Sequence, residues 1–309
     1  MAYDDSVSFC LRDSSKRKKK NYLVSTGGLG NQLFIFAAAH YILSVAPDRE
    51  VVIIHPEVLS SKPYKREFHL MELEGLCTHN IVIRRSWFWG IALNKFDQIE
   101  TLMPRFWRTL NKWVGYIKAP TPGDISSLKT PESWKIARGF FQDIEIILET
   151  EKKISKEILE LKRVTLQKLA GKCEPTSGIG AYVGIHFRRG DFRENSDAYG
   201  ILALEFYSDA LNFEKKRMFA SDDFELLSKL SETTKGLFLY PDIFSPLESF
   251  ALLSGASKVY AANSTYSWWA ALVCIWGGGV GVIPYPFYKE VNTPRLQHPA
   301  MRLIEPIYE

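Results

Sequence analysis

The strongest constraint on this chain is an alternation of short apolar runs with helical patterns. It opens with Tyr22–Thr26, which reads as a strand. Gly27 to Gly30 form a turn. A helix follows over Asn31–Leu43, with Leu33, Phe34, Phe36, Ala37 and Tyr41 apolar. The β-branched run Val51–His55 reads as the next strand. Strand, glycine turn, helix and strand make a Rossmann-like, doubly wound α/β opening.

The middle of the chain divides it. Residues 145–170 carry Ile146, Ile147, Ile154, Ile158, Leu161, Leu166 and Leu169 at helical spacing among Glu and Lys, so a long amphipathic helix is expected. Gly171 to Gly180 is rich in Gly, Pro, Ser and Thr and reads as a domain boundary. A second series then alternates. Strands are expected at Ala181–Phe187, Arg217–Ala220, Gly236–Tyr240 and Lys258–Ala262, and the last at Gly281–Pro284. Helices are expected at Leu204–Leu211, Phe224–Leu230, Leu247–Ser254 and Ser267–Trp276. The apolar stretch Val273–Pro286, broken by Gly277, Gly278 and Gly279, reads as a loop entering the last strand. A length of 309 residues suits two domains. Two Rossmann-like halves, 22–170 and 171–309, would face a cleft at their strand ends, behind a disordered basic leader over 1–21.

Charge narrows the partners. The net charge is +4, and residues 1–150 hold the whole surplus, with 20 basic and 16 acidic residues. That is too mild for a nucleic-acid partner. Lys16, Arg17, Lys18, Lys19 and Lys20 make the leader basic. The leader reads as a solvated segment or as one drawn to anionic lipid headgroups. Arg84, Arg85, Trp87, Phe88 and Trp89 form a mixed basic and aromatic patch. Arg105, Phe106, Trp107, Arg108, Lys112 and Trp113 form another. Both suit a membrane interface or a core helix with a charged face. No apolar run is long enough for a spanning helix, and the leader lacks a signal-peptide core. Cys10, Cys77, Cys173 and Cys274 are scattered and read as reduced thiols, with no zinc site.

Four motifs carry polar residues to strand ends. In Gly27-Gly28-Leu29-Gly30-Asn31-Gln32-Leu33, glycines allow close backbone approach to a ligand. The third glycine of a dinucleotide fingerprint is replaced by Leu33, and no acid ends the following strand, so an oxidoreductase is disfavoured. Asn31 and Gln32 either cap this turn or enter the cleft. In Val183-Gly184-Ile185-His186-Phe187-Arg188-Arg189-Gly190-Asp191, His186 and Arg188 share one face and Arg189 takes the other. One arginine can hold an anion while its neighbour pairs internally, with Asp191 as a candidate partner. In Met218-Phe219-Ala220-Ser221-Asp222-Asp223, the acids can cap a helix or accept bonds from a base edge, and diverge too far for a metal clamp. In Asn263-Ser264-Thr265-Tyr266-Ser267-Trp268-Trp269, hydroxyls and amides at a helix start form a second anion cradle, with the tryptophans as core.

Taken in order, GGLGNQLF, VGIHFRRGDF, FASDD and AANSTYSWWAA resemble the α1,2-fucosyltransferase family. Gly139-Phe140-Phe141-Gln142-Asp143 is similar to that family's G-Y-x-Q segment, and Phe206-Tyr207-x-x-Ala210 to its Y-Y-x-x-A helix. The match runs from about residue 22 to residue 288. H-x-R-R-x-D is shared with α1,6- and protein O-fucosyltransferases, and N-S-T-Y-S-W-W-A-A narrows it to the α1,2 group. Ile35-Phe36 and Phe192 depart mildly from the family pattern.

The resemblance implies a GT-B-like fold, with acceptor binding in 22–170 and GDP-sugar binding in 171–309. It implies GDP-β-L-fucose as donor, a β-galactoside or lipid-linked glycan as acceptor, and inverting transfer to the galactose 2-hydroxyl. No metal or other cofactor is expected. Arg188 would hold the β-phosphate and stabilise departing GDP. His186 and Asp222 would contact guanosine, Ser264 and Thr265 would contact the phosphates, and Asn263 would also bind the donor. Asn31 would sit near the sugar, beside the cleft loop of Gly28, Gly30 and Gln32. Glu194, Asp197 and Asp191 are candidates for the general base, with Asp191 also a structural partner for arginine. Relatives without a base pass the proton to the leaving phosphate. GDP-colitose is an alternative donor, and a noncatalytic nucleotide-sugar or glycan-binding module an alternative role. A bacterial enzyme of O-antigen synthesis is expected, cytoplasmic and peripheral at the inner membrane face.

Overall fold

A computed structural model describes residues 18–56, 67–76, 80–119, 121, 123–169, 182–212, 216–290 and 295–309. Residues 1–17 of the leader, Cys10, Cys77, Cys173 and the 171–180 boundary lie outside the described residues.

The first half contains β1 (Lys20–Val24), α1 (Leu29–Val45), β2 (Glu50–Pro56), β3 (Ile81–Ser86), α2 (Trp87–Leu102), α3 (Pro104–Val114), β4 (Tyr116–Lys118) and β5 (Ile136–Arg138). Helix α4 (Ile144–Leu169) leads onward. The second half contains β6 (Tyr182–Phe187), α5 (Ser196–Tyr199), α6 (Ser208–Leu211), β7 (Lys216–Ser221), α7 (Phe224–Thr233) and β8 (Leu237–Leu239). It continues with α8 (Pro246–Ser254), β9 (Lys258–Tyr260), α9 (Thr265–Trp276), β10 (Val280–Pro284) and β11 (Arg302–Ile304).

Two parallel sheets result. Their orders are β3-β2-β1-β5-β4 and β11-β10-β9-β6-β7-β8. Each chain path starts near its sheet's middle and reverses direction, at β1/β5 in the first and at β6/β9 in the second. Such reversals open a crevice at the carboxyl ends of the strands.

Burial explains the helix patterns. Helix α1 is buried nearly all round from Leu29 to Ile42, as expected for a helix enclosed by other elements. It packs between its sheet, α4 and α9. Phe34 meets Trp268 at 5.2 Å and Trp269 at 5.1 Å, ring centre to ring centre. Each such fully buried side chain contributes roughly 2–3 kcal/mol. Trp268 also donates from Nε1 to the Leu296 carbonyl at 2.8 Å. The largest apolar cluster therefore runs through both halves. Across β1, Leu23 points into that cluster, whereas Tyr22 and Val24 point to the opposite face. There α2 and α3 form an outer layer over Leu93, Trp107, Tyr116 and Ile136.

Four expectations are corrected. Gly281–Pro284 is followed by a further strand, β11, which pairs with β10. Leu204–Leu211 is a 3-10 turn followed by the single turn α6. Val273–Trp276 is the end of α9, and the loop begins only at Gly277. Helix α1 also starts at Leu29, two residues earlier than its sequence pattern, so Gly30 lies within it.

Candidate active site

The two crevices face each other across one cavity of ≈ 1860 Å³. That exceeds the span usual for one drug-sized ligand and suits a donor and an acceptor together.

Strand β6 brings His186 into the cavity, and Arg188 enters it from the residue just past the strand's end. Arg188 pairs with Asp191 at 2.6 Å and with Asp222 at 2.8 Å. Phe192 lies under its guanidinium, 5.4 Å from the ring centre. Asp222, at the end of β7, also accepts from the Arg189 amide at 2.9 Å and the Gly190 amide at 3.1 Å. A side chain at position 190 would strike it, since a Cβ there would lie 2.7 Å from Asp222 Oδ2. Burial pushes the Asp222 pKa up, but Arg188 and the two amides outweigh it and hold the carboxyl below its ordinary range. Burial depresses the pKa of His186 to about 4, Arg188 adds to the fall and Asp222 opposes it, so the imidazole is neutral.

Arg189 turns the other way, as alternation requires, and pairs with Glu309. The internal pairing is therefore split differently from the reading with Asp191 beside Arg189. Asp191 belongs to Arg188, and Glu309 to Arg189. Asp223, not Asp222, caps α7, accepting from the Leu226 amide at 3.2 Å.

Beyond β9, Ser264 and Thr265 line the same cavity at the start of α9. Ser264 makes no capping bond with its side chain, and first-turn amides lack intrahelical acceptors. Opposite them, the start of α1 brings Gly28, Gly30 and Asn31. Asn31 Oδ1 accepts from Gln142 at 2.9 Å and from Thr265 at 3.0 Å. One amide thus ties the β5 loop of the first half to α9 of the second.

Two expected site residues are structural instead. Gln32 is fully buried. It donates to the Gly27 and Glu67 carbonyls at 3.1 and 2.7 Å and accepts from the His69 amide at 2.9 Å. It clamps the cleft loop to the 67–69 segment and does not line the cavity. Asn263 is also fully buried, and its amide donates to the Tyr199 and Gly200 carbonyls at 2.8 and 2.9 Å. Its bonds hold the Tyr199–Gly200 segment, whose Tyr199 lines the cavity. Glu194 lines the cavity on the turn after β6, whereas Asp197 does not.

Several lining residues escaped the sequence reading. Glu67, His69, Lys129, Asp143 and Arg295 face the cavity from the first half and the chain end. Of these only Asp143 stands in a motif, the G-F-F-Q-D segment, which also brings Gln142 to the cavity. Burial lowers the pKa of His69 despite Glu67 and Glu72, and burial raises that of Asp143. Among the described residues, no three His, Cys, Asp or Glu side chains are grouped to hold a metal ion.

Two facing α/β crevices, with an arginine at one reversal point and a helix start beside it, make a GT-B-like architecture with an anion site in its cleft. Residues 95–308 match the model of glycosyl transferase family 11, and the chain belongs to that family. It is 24% identical to an alpha-1,2-colitosyltransferase of Escherichia coli, over 86% of this chain and 92% of that protein. It is 22% identical to the E. coli O-antigen biosynthesis glycosyltransferase WbnK, over 89% and 97%. Among solved structures, NodZ α-1,6-fucosyltransferase co-crystallised with GDP aligns at 15% identity and a TM-score of 0.43, covering 82% and 93%. The protein is thus a glycosyltransferase.

Proposed function

We propose that this glycosyltransferase moves L-fucose from GDP-β-L-fucose to the 2-hydroxyl of a terminal β-galactoside, with inversion, in O-antigen or related surface-glycan synthesis. The observation that carries the reading is Arg188 at the β6/β9 reversal, facing the uncapped start of α9. A diphosphate lying there meets a guanidinium on one side and helix amides on the other. Cleaving the sugar–phosphate bond places growing charge on that phosphate, and preorganised donors stabilise it without rearranging. This is the work a metal does in other transferases, and the reaction proposed here needs none.

Arg188 begins neutralised by two carboxylates. Asp222 is fixed by two amides, whereas Asp191 sits on an exposed turn. In this reading the diphosphate displaces Asp191 and leaves Asp222 to orient the guanidinium and, with neutral His186, to meet the guanosine. Glu194 is the cavity-lining carboxylate of that turn left outside the Arg188 pairings. It accepts the proton of the acceptor hydroxyl as the hydroxyl attacks the anomeric carbon. The acceptor lies against the first half, near Asn31, Glu67 and His69.

A second reading keeps the mechanism and changes the donor to GDP-colitose. The likeness to an alpha-1,2-colitosyltransferase supports it. GDP release is measured from GDP-fucose and GDP-colitose, with and without lactose, in EDTA. Acceptor-dependent release from GDP-fucose supports the first reading, and from GDP-colitose alone the second. GDP binding without release on any galactoside overturns both and favours a noncatalytic glycan-binding module. A strict metal requirement overturns the charge-stabilisation scheme.

A further inference from the structure

The α2–α3 layer has an outer face that the described residues leave uncovered. Trp113 is 79% exposed, Leu102 77% and Trp87 61%, and Phe88, Met103 and Phe106 are also exposed. Leu93 and Trp107 of the same helices point inward and fill the core beneath. Phe106 and Trp113 are seven residues apart on α3, two helical turns, and so share one face. Soluble proteins rarely leave this many large apolar side chains open in one layer.

The charge on that layer is one-sided. Residues 81–114 hold six cations, Arg84, Arg85, Lys95, Arg105, Arg108 and Lys112, and two acids, Asp97 and Glu100. All six cations are exposed, and among the described residues none is in an ion pair. The two acids are taken by Lys118 and Arg138, at 2.6 to 2.8 Å. Helix α3 carries three of the cations and no acid.

We propose that the α2–α3 face docks on an anionic lipid bilayer, with its aromatic side chains in the interface and its cations on the headgroups. Amphipathic basic helices with exposed Trp, Phe and Leu bind such surfaces through both terms at once. A second copy of the chain fits poorly. A twofold contact would set this face against itself and bring Arg105, Arg108 and Lys112 against their own copies. The face lies across the first sheet from α1, and no residue of α2 or α3 lines the cavity, so docking leaves the cleft open. The inference does not depend on the donor or acceptor identity.

The test is sedimentation of the full chain with vesicles of phosphatidylglycerol and phosphatidylethanolamine, and with phosphatidylcholine alone. Binding is expected on the anionic vesicles, weakened by salt. Arg105→Ala/Arg108→Ala/Lys112→Ala is expected to weaken it about 100-fold. Phe106→Ser/Trp113→Ser is expected to weaken it at least about tenfold, as lost apolar insertion. Circular dichroism confirms that both variants fold, and turnover on a soluble acceptor should match the parent. No binding to anionic vesicles overturns the proposal. So does binding that survives both variants but follows substitution of Lys16 to Lys20. A dimer in light scattering that Phe106→Ser/Trp113→Ser dissociates would make the face an interface between copies.

Discussion

Gly30 and Tyr266 meet backbone to backbone. A Cβ at position 30 would stand 2.4 Å from the Tyr266 nitrogen and 2.5 Å from the Thr265 carbonyl carbon. The starts of α1 and α9 therefore touch at the cleft floor, and only the absence of a side chain permits it.

Gly30→Ala should consequently force the two helix starts apart. Neither neighbour is a flexible side-chain end, so the strain cannot be relieved by a rotamer change. The expected cost is about 3 kcal/mol, read by chemical denaturation. A parent-like stability would show that the halves can separate freely here. Gly28→Ala is the control, because nothing lies within 4 Å of its would-be Cβ.

Arg188→Ala should lower turnover at least about 100-fold, since preorganised charge contacts contribute that much. Arg188→Lys keeps the charge but loses the fork that reaches two partners, and should rescue only a small part. Steady-state kinetics on GDP-fucose or GDP-colitose with a galactoside measures both. Near-parent turnover in Arg188→Ala would remove the carrying observation of the functional reading.

Glu194→Gln should lower kcat by about 100-fold or more, with KM for the donor little changed, because a general base contributes on that scale. Asp197→Asn is the matched control outside the cavity and should leave kcat close to the parent. Equal effects in the two would place the proton elsewhere, with the leaving phosphate as the remaining acceptor.

Gln32→Ala and Asn263→Ala should act first on stability. Each removes hydrogen bonds to buried carbonyls, at about 1–3 kcal/mol for a polar group left unpaired. Donor KM should change less in Asn263→Ala than in Thr265→Ala, because Thr265 faces the cavity. The opposite order would return Asn263 to the donor site.

Acid should destabilise the fold through His186. Burial holds its pKa at about 4, whereas an unfolded histidine titrates near 6.5. Between those values the unfolded chain binds more protons, so stability falls as pH falls through that window. Burial of His69 acts in the same direction. Denaturation midpoints at pH 7, 5.5 and 4.5 should decline, and His186→Gln should flatten the slope. The lowered Asp222 carboxyl contributes only below its ordinary range near 3.8.

Much of this site could be read in the sequence because strand ends are marked. An apolar run stopping at His186-Phe187-Arg188 announces where a strand gives way to a cleft, and period-two alternation separates Arg188 from Arg189. The same rule could not choose their partners, since Glu309 approaches from the far end of the chain. Gln32 and Asn263 sit in motifs but turn inward, and polarity alone does not distinguish a buried clamp from a ligand contact. Glu67 and His69 were invisible because a backbone clamp from Gln32, not a local pattern, aims their segment. Strand β11 escaped because three residues, two of them exposed, show no alternation.

The apolar cluster that threads both halves has a consequence for how such enzymes diversify. Phe34 of one half is wedged among Trp268 and Trp269 of the other, so neither half carries a finished surface of its own. Grafting the first half of a relative onto this second half, to change acceptor choice, would pair mismatched sides of one jigsaw. If the first half takes the acceptor as proposed, changes of specificity are expected instead at the rim, through segments such as 67–69 that border the cleft without entering that shared seam.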